Sequence, residues 1–141
     1  MIKKKKKKLP TLRKLITTAD AIASRIVRKR DGWCVMCGKT ENLQAHHYVI
    51  TKARSTKHRW NLKNLVTLCW HCHLHLCHST QTCLRITETL KKAVIMNKIA
   101  TEEEIEQIKN DTELITATRA FLEQKIEELK KIEEEQQNAT K

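Results

Sequence analysis

Asn64-Leu65-Val66-Thr67-Leu68-Cys69-Trp70-His71-Cys72-His73 holds a Cys-x2-Cys pair that runs directly into a histidine. A second pair, Cys34 and Cys37, lies upstream, with 31 residues between Cys37 and Cys69. Each pair places two thiolates close enough to grip one tetrahedral ion, as at a zinc knuckle. Together they predict a structural zinc site closed by Cys34, Cys37, Cys69 and Cys72, pinning the start of a module to its end. Four thiolates leave no open coordination position, so zinc there builds structure, and any chemistry must come from other ligands.

Between the knuckles, Leu43 to Ile50 is β-prone and carries the adjacent histidines His46 and His47. Side chains alternate faces along a strand, so these two serve one site only if the backbone turns around them, at a strand end or a bulge. His58, His71, His75 and His78 lie in a basic, polar context and read as solvated or phosphate-facing. Trp33, Trp60 and Trp70 read most simply as core or knuckle packing, with base stacking as the alternative. Cys83, without a partner at ligand spacing, reads as a buried thiol.

Outside this centre, residues 33 to 83, the flanks are helical in pattern. From Thr11 to Arg30, Leu12, Leu15, Ile16, Ala19, Ile22, Ala23, Ile26 and Val27 recur at helical spacing. They predict a basic amphipathic helix within residues 11–32, ending at Asp31-Gly32. Before it, Lys3 to Lys8 repel one another and bury no apolar surface, which predicts a disordered basic tail over residues 1–10. Residues 84–141 form a helical extension, acidic from residue 101. There Leu84 to Met96 continue as helix, Asn97 to Ala100 form a turn, and Thr101 with Glu104 makes a capping box for the next helix. Ile105, Ile108, Ile115, Leu122, Ile126 and Leu129 follow alternating three and four spacing, with Thr112 and Arg119 on the same seam. That seam leaves two readings open: the acidic helix packs back on its own domain, or it joins a second copy or a protein partner.

The 141 residues suffice for one modest core with appendages. The net charge of +12 favours an anionic partner. It divides unevenly: residues 1–98 carry 22 basic and 4 acidic side chains, residues 99–141 carry 6 and 12. Five aromatics, two glycines and one proline argue against a turn-rich β-sandwich or an aromatic stacking platform for single strands. No run approaches the length of a membrane span or a signal-peptide core, so no membrane partner is expected and the reading is a cytoplasmic protein. In a reducing compartment six cysteines favour metal thiolates over disulfides.

His47, Asn64 after 16 intervening residues and His73 after 8 more, framed by the two CxxC pairs, resemble an HNH endonuclease of the ββα-metal type, in its zinc-knuckle branch. The resemblance covers about residues 26 to 78. Arg28 to Cys34, Ala45-His46-His47-Tyr48 and Arg59-Trp60-Asn61 resemble the phage NinG/Rap recombination proteins, which act on branched DNA. Those proteins have Gly-His-Tyr, and Asn after the second CxxC where this chain has His73. The resemblance implies an α+β, mostly helical fold: a small ββα-metal module with the four-cysteine zinc, between an N-terminal basic helix and a C-terminal helical hairpin.

By position, the resemblance implies that His47 is the general base, that Asn64 orients loop and base, and that His46 and His73 hold a catalytic Mg2+, Mn2+ or Zn2+. Cys77, four residues beyond His73, stands where a further ligand often lies. As a thiolate it would favour zinc over magnesium, and as a buried small hydrophobe it would bind nothing. Lys52, Arg54, Lys57 and Arg59 lie on the loop that would border the scissile phosphate of double-stranded or branched DNA. The expected function is metal-dependent DNA hydrolysis, in the host cytoplasm if the gene is a phage's. The competing expectation is a zinc-dependent DNA-binding or assembly protein without cleavage.

Overall fold

In the computed structural model, residues 7–77 and 87–140 are described. The protein is a mostly helical α+β structure built around a two-stranded antiparallel sheet. Of the predicted basic tail, only Lys7 to Pro10 fall within the described residues; they are exposed and carry neither helix nor strand.

Helix α1 spans Leu12–Asp31. Thr11 starts it by accepting the Lys14 N–H at 3.1 Å, and Gly32 ends it at φ 73°, donating its N–H to the Arg28 carbonyl at 2.9 Å. That left-handed conformation is one an L side chain adopts only with strain. The apolar stripe predicted on α1 is buried at Leu15, Ala19, Ile22, Ala23, Ile26 and Val27. It packs against Leu122, Ile126 and Leu129 of the last helix, α6 (Arg119–Asn138), in one core with Trp60 and Leu65. The two helices run parallel: Arg119 binds the Pro10 carbonyl at one end, and Arg25 pairs with Glu133 at 2.7 Å towards the other. Thus the acidic end of the chain lies on its own basic helix.

The sheet pairs β1 (Leu43–His47) with β2 (Leu65–Cys69), Leu43 opposite Cys69 and His47 opposite Leu65. Alternation then sorts the side chains. Ala45 and Leu65 turn to the α1–α6 core, and the Thr67 hydroxyl bonds the Val27 carbonyl at 3.2 Å. Val66 and Leu68 turn to a second core, built with Cys34, Tyr48, Leu90, Val94 and Ile105. Between the strands run a short helix, α2 (Thr56–Arg59), and a 3-10 turn over Leu62–Asn64. After β2 the chain enters α3 (Trp70–Cys77) directly.

Helix α4 (Glu88–Met96) and helix α5 (Glu102–Asn110) complete the second core. The predicted capping box is present: Glu104 N–H to Thr101 Oγ1 at 3.2 Å, and Thr101 N–H to Glu104 Oε2 at 2.8 Å. The apolar seam of the tail, by contrast, is not one continuous helix. Residues 111–118 are non-helical and separate α5 from α6. Asn110, Asp111, Thr112, Thr116 and Thr118 are weak helix formers, and Asp111 is held by Lys57 at 2.8 Å and by His58 at 2.9 Å. Those tertiary bonds outweigh the marginal gain from extending the helix. Among the described residues no helix is long and apolar enough to cross a membrane.

Candidate metal centre and histidine site

The first knuckle is a tight turn. Cys34 N–H bonds the Lys39 carbonyl and Gly38 N–H bonds the Cys34 carbonyl, both at 2.8 Å, with Gly38 at φ 76°. The second knuckle begins where β2 ends, and Cys72 N–H points at Cys69 Sγ at 3.5 Å. Val35 N–H, bonded to the Thr67 carbonyl at 3.1 Å, docks the first knuckle beside β2. The four sulfurs of Cys34, Cys37, Cys69 and Cys72 consequently lie within 4.8 Å of one another, with Cys37 and Cys69 3.6 Å apart. Zinc–sulfur bonds of about 2.3 Å in a tetrahedron require sulfurs about 3.8 Å apart, so the cluster fits a zinc ion. The Cys72 backbone N–H pulls the Cys69 thiol down to about 7, while burial and the neighbouring thiols push Cys72 up, so Cys69 is the first of the cluster to become the thiolate that a metal needs.

His47 is the last residue of β1, half-buried, and its Nε2 lies 2.7 Å from the Arg59 carbonyl. A carbonyl only accepts, so Nε2 carries the proton and the lone pair resides on Nδ1. Burial lowers the pKa of the ring, against an upward pull from the Arg59 carbonyl and the Asp20 charge. Asn64 is fully buried, and its amide is saturated. Oδ1 accepts Val49 N–H at 3.1 Å and Ile50 N–H at 3.0 Å, while Nδ2 donates to the Ile50 carbonyl at 2.9 Å and the His58 carbonyl at 3.0 Å. It therefore ties the segment leaving His47 to the backbone of α2, one peptide from the carbonyl that fixes His47.

His46 and His73 come together with ring centroids 5.1 Å apart, and the Gln44 side-chain Oε1 lies 2.5 Å from His73 Nδ1. With the Gln44 side-chain oxygen as acceptor, the His73 proton sits on Nδ1, the tautomer usual behind a metal-ligating histidine. Gln44 and His46 share a strand face, as alternation demands, whereas His47 turns to α2. The turn required for His46 and His47 to converge falls after His47 and not between them. Cys77 closes α3, but its side chain lies outside the described residues, as do His78 and Cys83.

Of the four cations predicted to face phosphate, Lys52 and Arg54 are exposed. The other two are engaged within the protein. Arg59 grips both carboxylate oxygens of Asp20, at 2.9 and 2.6 Å, and Lys57 pairs with Asp111 and Glu113. His58 also departs from expectation: it is buried, donating from Nε2 to Asp111 and accepting at Nδ1 from the Asn61 amide at 3.0 Å. Trp60 is core, but Trp33 and Trp70 are half exposed, at 50% and 57%, in place of the expected packing. His71 and His75 are exposed, with their rings 4.3 Å apart.

Sequence reasoning passed over Asp20, Arg30, Asp31 and Gln44. Asp20 braces the His47 support by binding Arg59 and, at 2.8 Å, the Trp60 indole N–H. Arg30 bonds Asp31 and the carbonyls of Leu62 and Leu65, and Asp31 accepts Thr67 N–H at 2.8 Å. One signal marked both acids: they are two of only four among residues 1–98. Burial works to raise the Asp20 pKa, but the Arg59 guanidinium and the Trp60 N–H outweigh it and hold the carboxyl below 3.8. A depressed carboxylate stabilises the fold above its unfolded pKa, and that gain is lost as pH falls through the folded pKa. Asp20→Asn is therefore expected to melt below wild type at pH 7, with the gap closing below about pH 3.8. A gap independent of pH in paired thermal melts refutes the assignment.

Compared with protein-family models, curated proteins and solved structures, the chain finds no match.

Proposed function

We propose that the protein is a metal-dependent DNA endonuclease of the HNH type, with branched or recombination DNA as the preferred substrate class. The observation that carries this reading is the coupling of Asn64 to His47: a saturated, buried amide holds the backbone beside the one carbonyl that sets the His47 tautomer. A buried structural asparagine needs no such partner, whereas a general base needs a lone pair with a fixed direction and a neutral ring near pH 7.

In this mechanism His47 Nδ1 takes a proton from water as the oxygen attacks phosphorus in line with the 3′ oxygen. The P–O3′ bond breaks and O3′ takes a proton from solvent, giving a 5′ phosphate and a 3′ hydroxyl. His46 and His73 would hold the divalent ion, with Gln44 fixing the His73 ring. Bound there, the ion supplies charge neutralisation on the phosphate and the leaving oxygen. Lys52 and Arg54, exposed on the 48–64 connection, are cations open to the DNA backbone.

One observation favours the second reading, a zinc-dependent DNA-binding or assembly protein without cleavage: His46 and His47 take opposite faces of β1. Nicking of supercoiled, linear and four-way junction DNA with Mg2+, Mn2+ or Zn2+ separates the two. Cleavage by wild type that His47→Ala abolishes supports the enzyme. Binding of DNA without cleavage under any metal supports the second reading.

A further inference from the structure

A cleft of about 370 Å³ opens between the end of α1, the first knuckle and the turn joining α4 to α5. Its size is that of a small-ligand pocket (roughly 300 Å³ and upward). Trp33 forms one wall, Val35 and Ile99 are apolar lining, and Arg30, Lys63 and Lys98 supply cations. The lining acid, Asp31, is buried and committed, Oδ1 to Arg30 and Oδ2 to Thr67 N–H. Arg30 is thereby neutralised in place. Lys63 is half exposed and 3.5 Å from a partly exposed Glu104 that also holds the Thr101 N–H, a contact that solvent screens and an anion can displace.

Lys98 carries the second, independent observation. The end of α4 is a Schellman motif, with Ile99 N–H on the Val94 carbonyl at 3.1 Å and Lys98 N–H on the Ile95 carbonyl at 3.0 Å. The residue in the left-handed position of that motif is ordinarily glycine, for want of a Cβ. Here it is Lys98, at φ 55°. A strained backbone that keeps a long cation at the rim of a cleft points to a use for the cation.

We propose that this cleft takes one unpaired nucleotide of a DNA strand, its base stacked on Trp33 and its phosphate held by Lys63 and Lys98. An exposed indole beside apolar lining suits the flat face of a base, and two lysines from different elements suit the adjoining phosphate. With one aromatic wall the cleft accepts one base and not a run of them. Unpaired nucleotides occur at junctions, flaps and ends, so the inference deepens the branched-DNA reading and rests on its choice of partner, though not on cleavage.

The test uses the zinc-loaded full chain and measures binding of a single-stranded dA 12-mer, the matching duplex and free deoxyadenosine monophosphate, by anisotropy for the strands and tryptophan fluorescence for the nucleotide. Trp33→Ala is expected to weaken single-strand binding about tenfold and duplex binding little. Lys98→Gly is expected to weaken it about two- to threefold and flatten its salt dependence, while melting no lower than wild type because the strain is relieved. A loss of affinity in that variant is therefore not a loss of fold. Unchanged single-strand affinity in both variants, with wild type binding or nicking DNA, overturns this inference alone. Wild type that binds neither strand nor duplex overturns the DNA reading and this inference with it. Nucleotide binding as tight as that of the 12-mer overturns the strand assignment in favour of a free nucleotide.

Discussion

Cys69→Ser, or prolonged exposure of the protein to a strong chelator, is expected to unfold it at ordinary temperatures, with zinc falling from one ion per chain to none. Cys34 and Cys69 are not ornaments at the surface: both are buried in the core formed by β2, α4 and α5. Structural zinc contributes on the order of 10 kcal/mol or more in small modules, and a domain of this size is stable by about 5–15 kcal/mol in total. Loss of the ion therefore removes a share comparable with the whole. It also propagates, because β2 anchors α1 through Thr67, whose N–H and hydroxyl bond Asp31 and Val27. Circular dichroism at 222 nm is expected to lose most of its helical signal in one transition. A Cys69→Ser protein that melts within a few degrees of wild type, or a folded wild type without zinc by elemental analysis, defeats the assignment.

His47→Ala and Asn64→Ala are expected to fail in different ways. Removing a general base costs about 100- to 10,000-fold in rate, and His47 is half-buried with one hydrogen bond, so its loss leaves the melting temperature close to that of wild type. Asn64→Ala strands four backbone groups, one on buried His58 and three on the half-buried Val49 and Ile50. Its expected cost is about 3–5 kcal/mol of stability together with the loss of activity. The pH profile separates base from scaffold. Burial lowers the His47 pKa, so cleavage is expected to rise with pH on its acid side and to level off at a lower pH than an unperturbed histidine would give. A profile still rising above pH 8, or cleavage surviving His47→Ala, removes His47 from the chemistry.

Much of this architecture is readable along the chain because its causes are local. The Cys-x2-Cys spacings, the Thr101–Glu104 capping box and the apolar stripe of α1 each involve residues within a turn or two of one another. The strand reading was right about β1 but ran past its end: Tyr48, Val49 and Ile50 are β-prone, yet Asn64 takes the Val49 and Ile50 amides that would have continued a ladder. The seam from Ile105 to Leu129 misled for a related reason. Period alone cannot register that Asp111 is bonded to α2, so one helix was expected where there are two.

The same limit explains the cations. A run of Lys52, Arg54, Lys57 and Arg59 looks uniform in sequence, and nothing local tells a lysine facing solvent from one facing Asp111. Chain residues 20, 111 and 113 lie far from the loop in sequence but supply its carboxylates. The acidic tail thereby meets cations of the basic body and pairs with them, at Arg25 as well as at Lys57.

Sequence alone established a four-cysteine centre, a basic helical entry and an acidic helical exit, since ligand spacing, capping and amphipathic period are properties of neighbours. The folded chain settled what neighbours cannot: that His46 meets His73 while His47 meets the Arg59 carbonyl, that half of the loop cations are already paired, and that Trp33 and Lys98 share a cleft. Each depends on which distant groups a side chain meets, and only the packing of both cores around the sheet determines that.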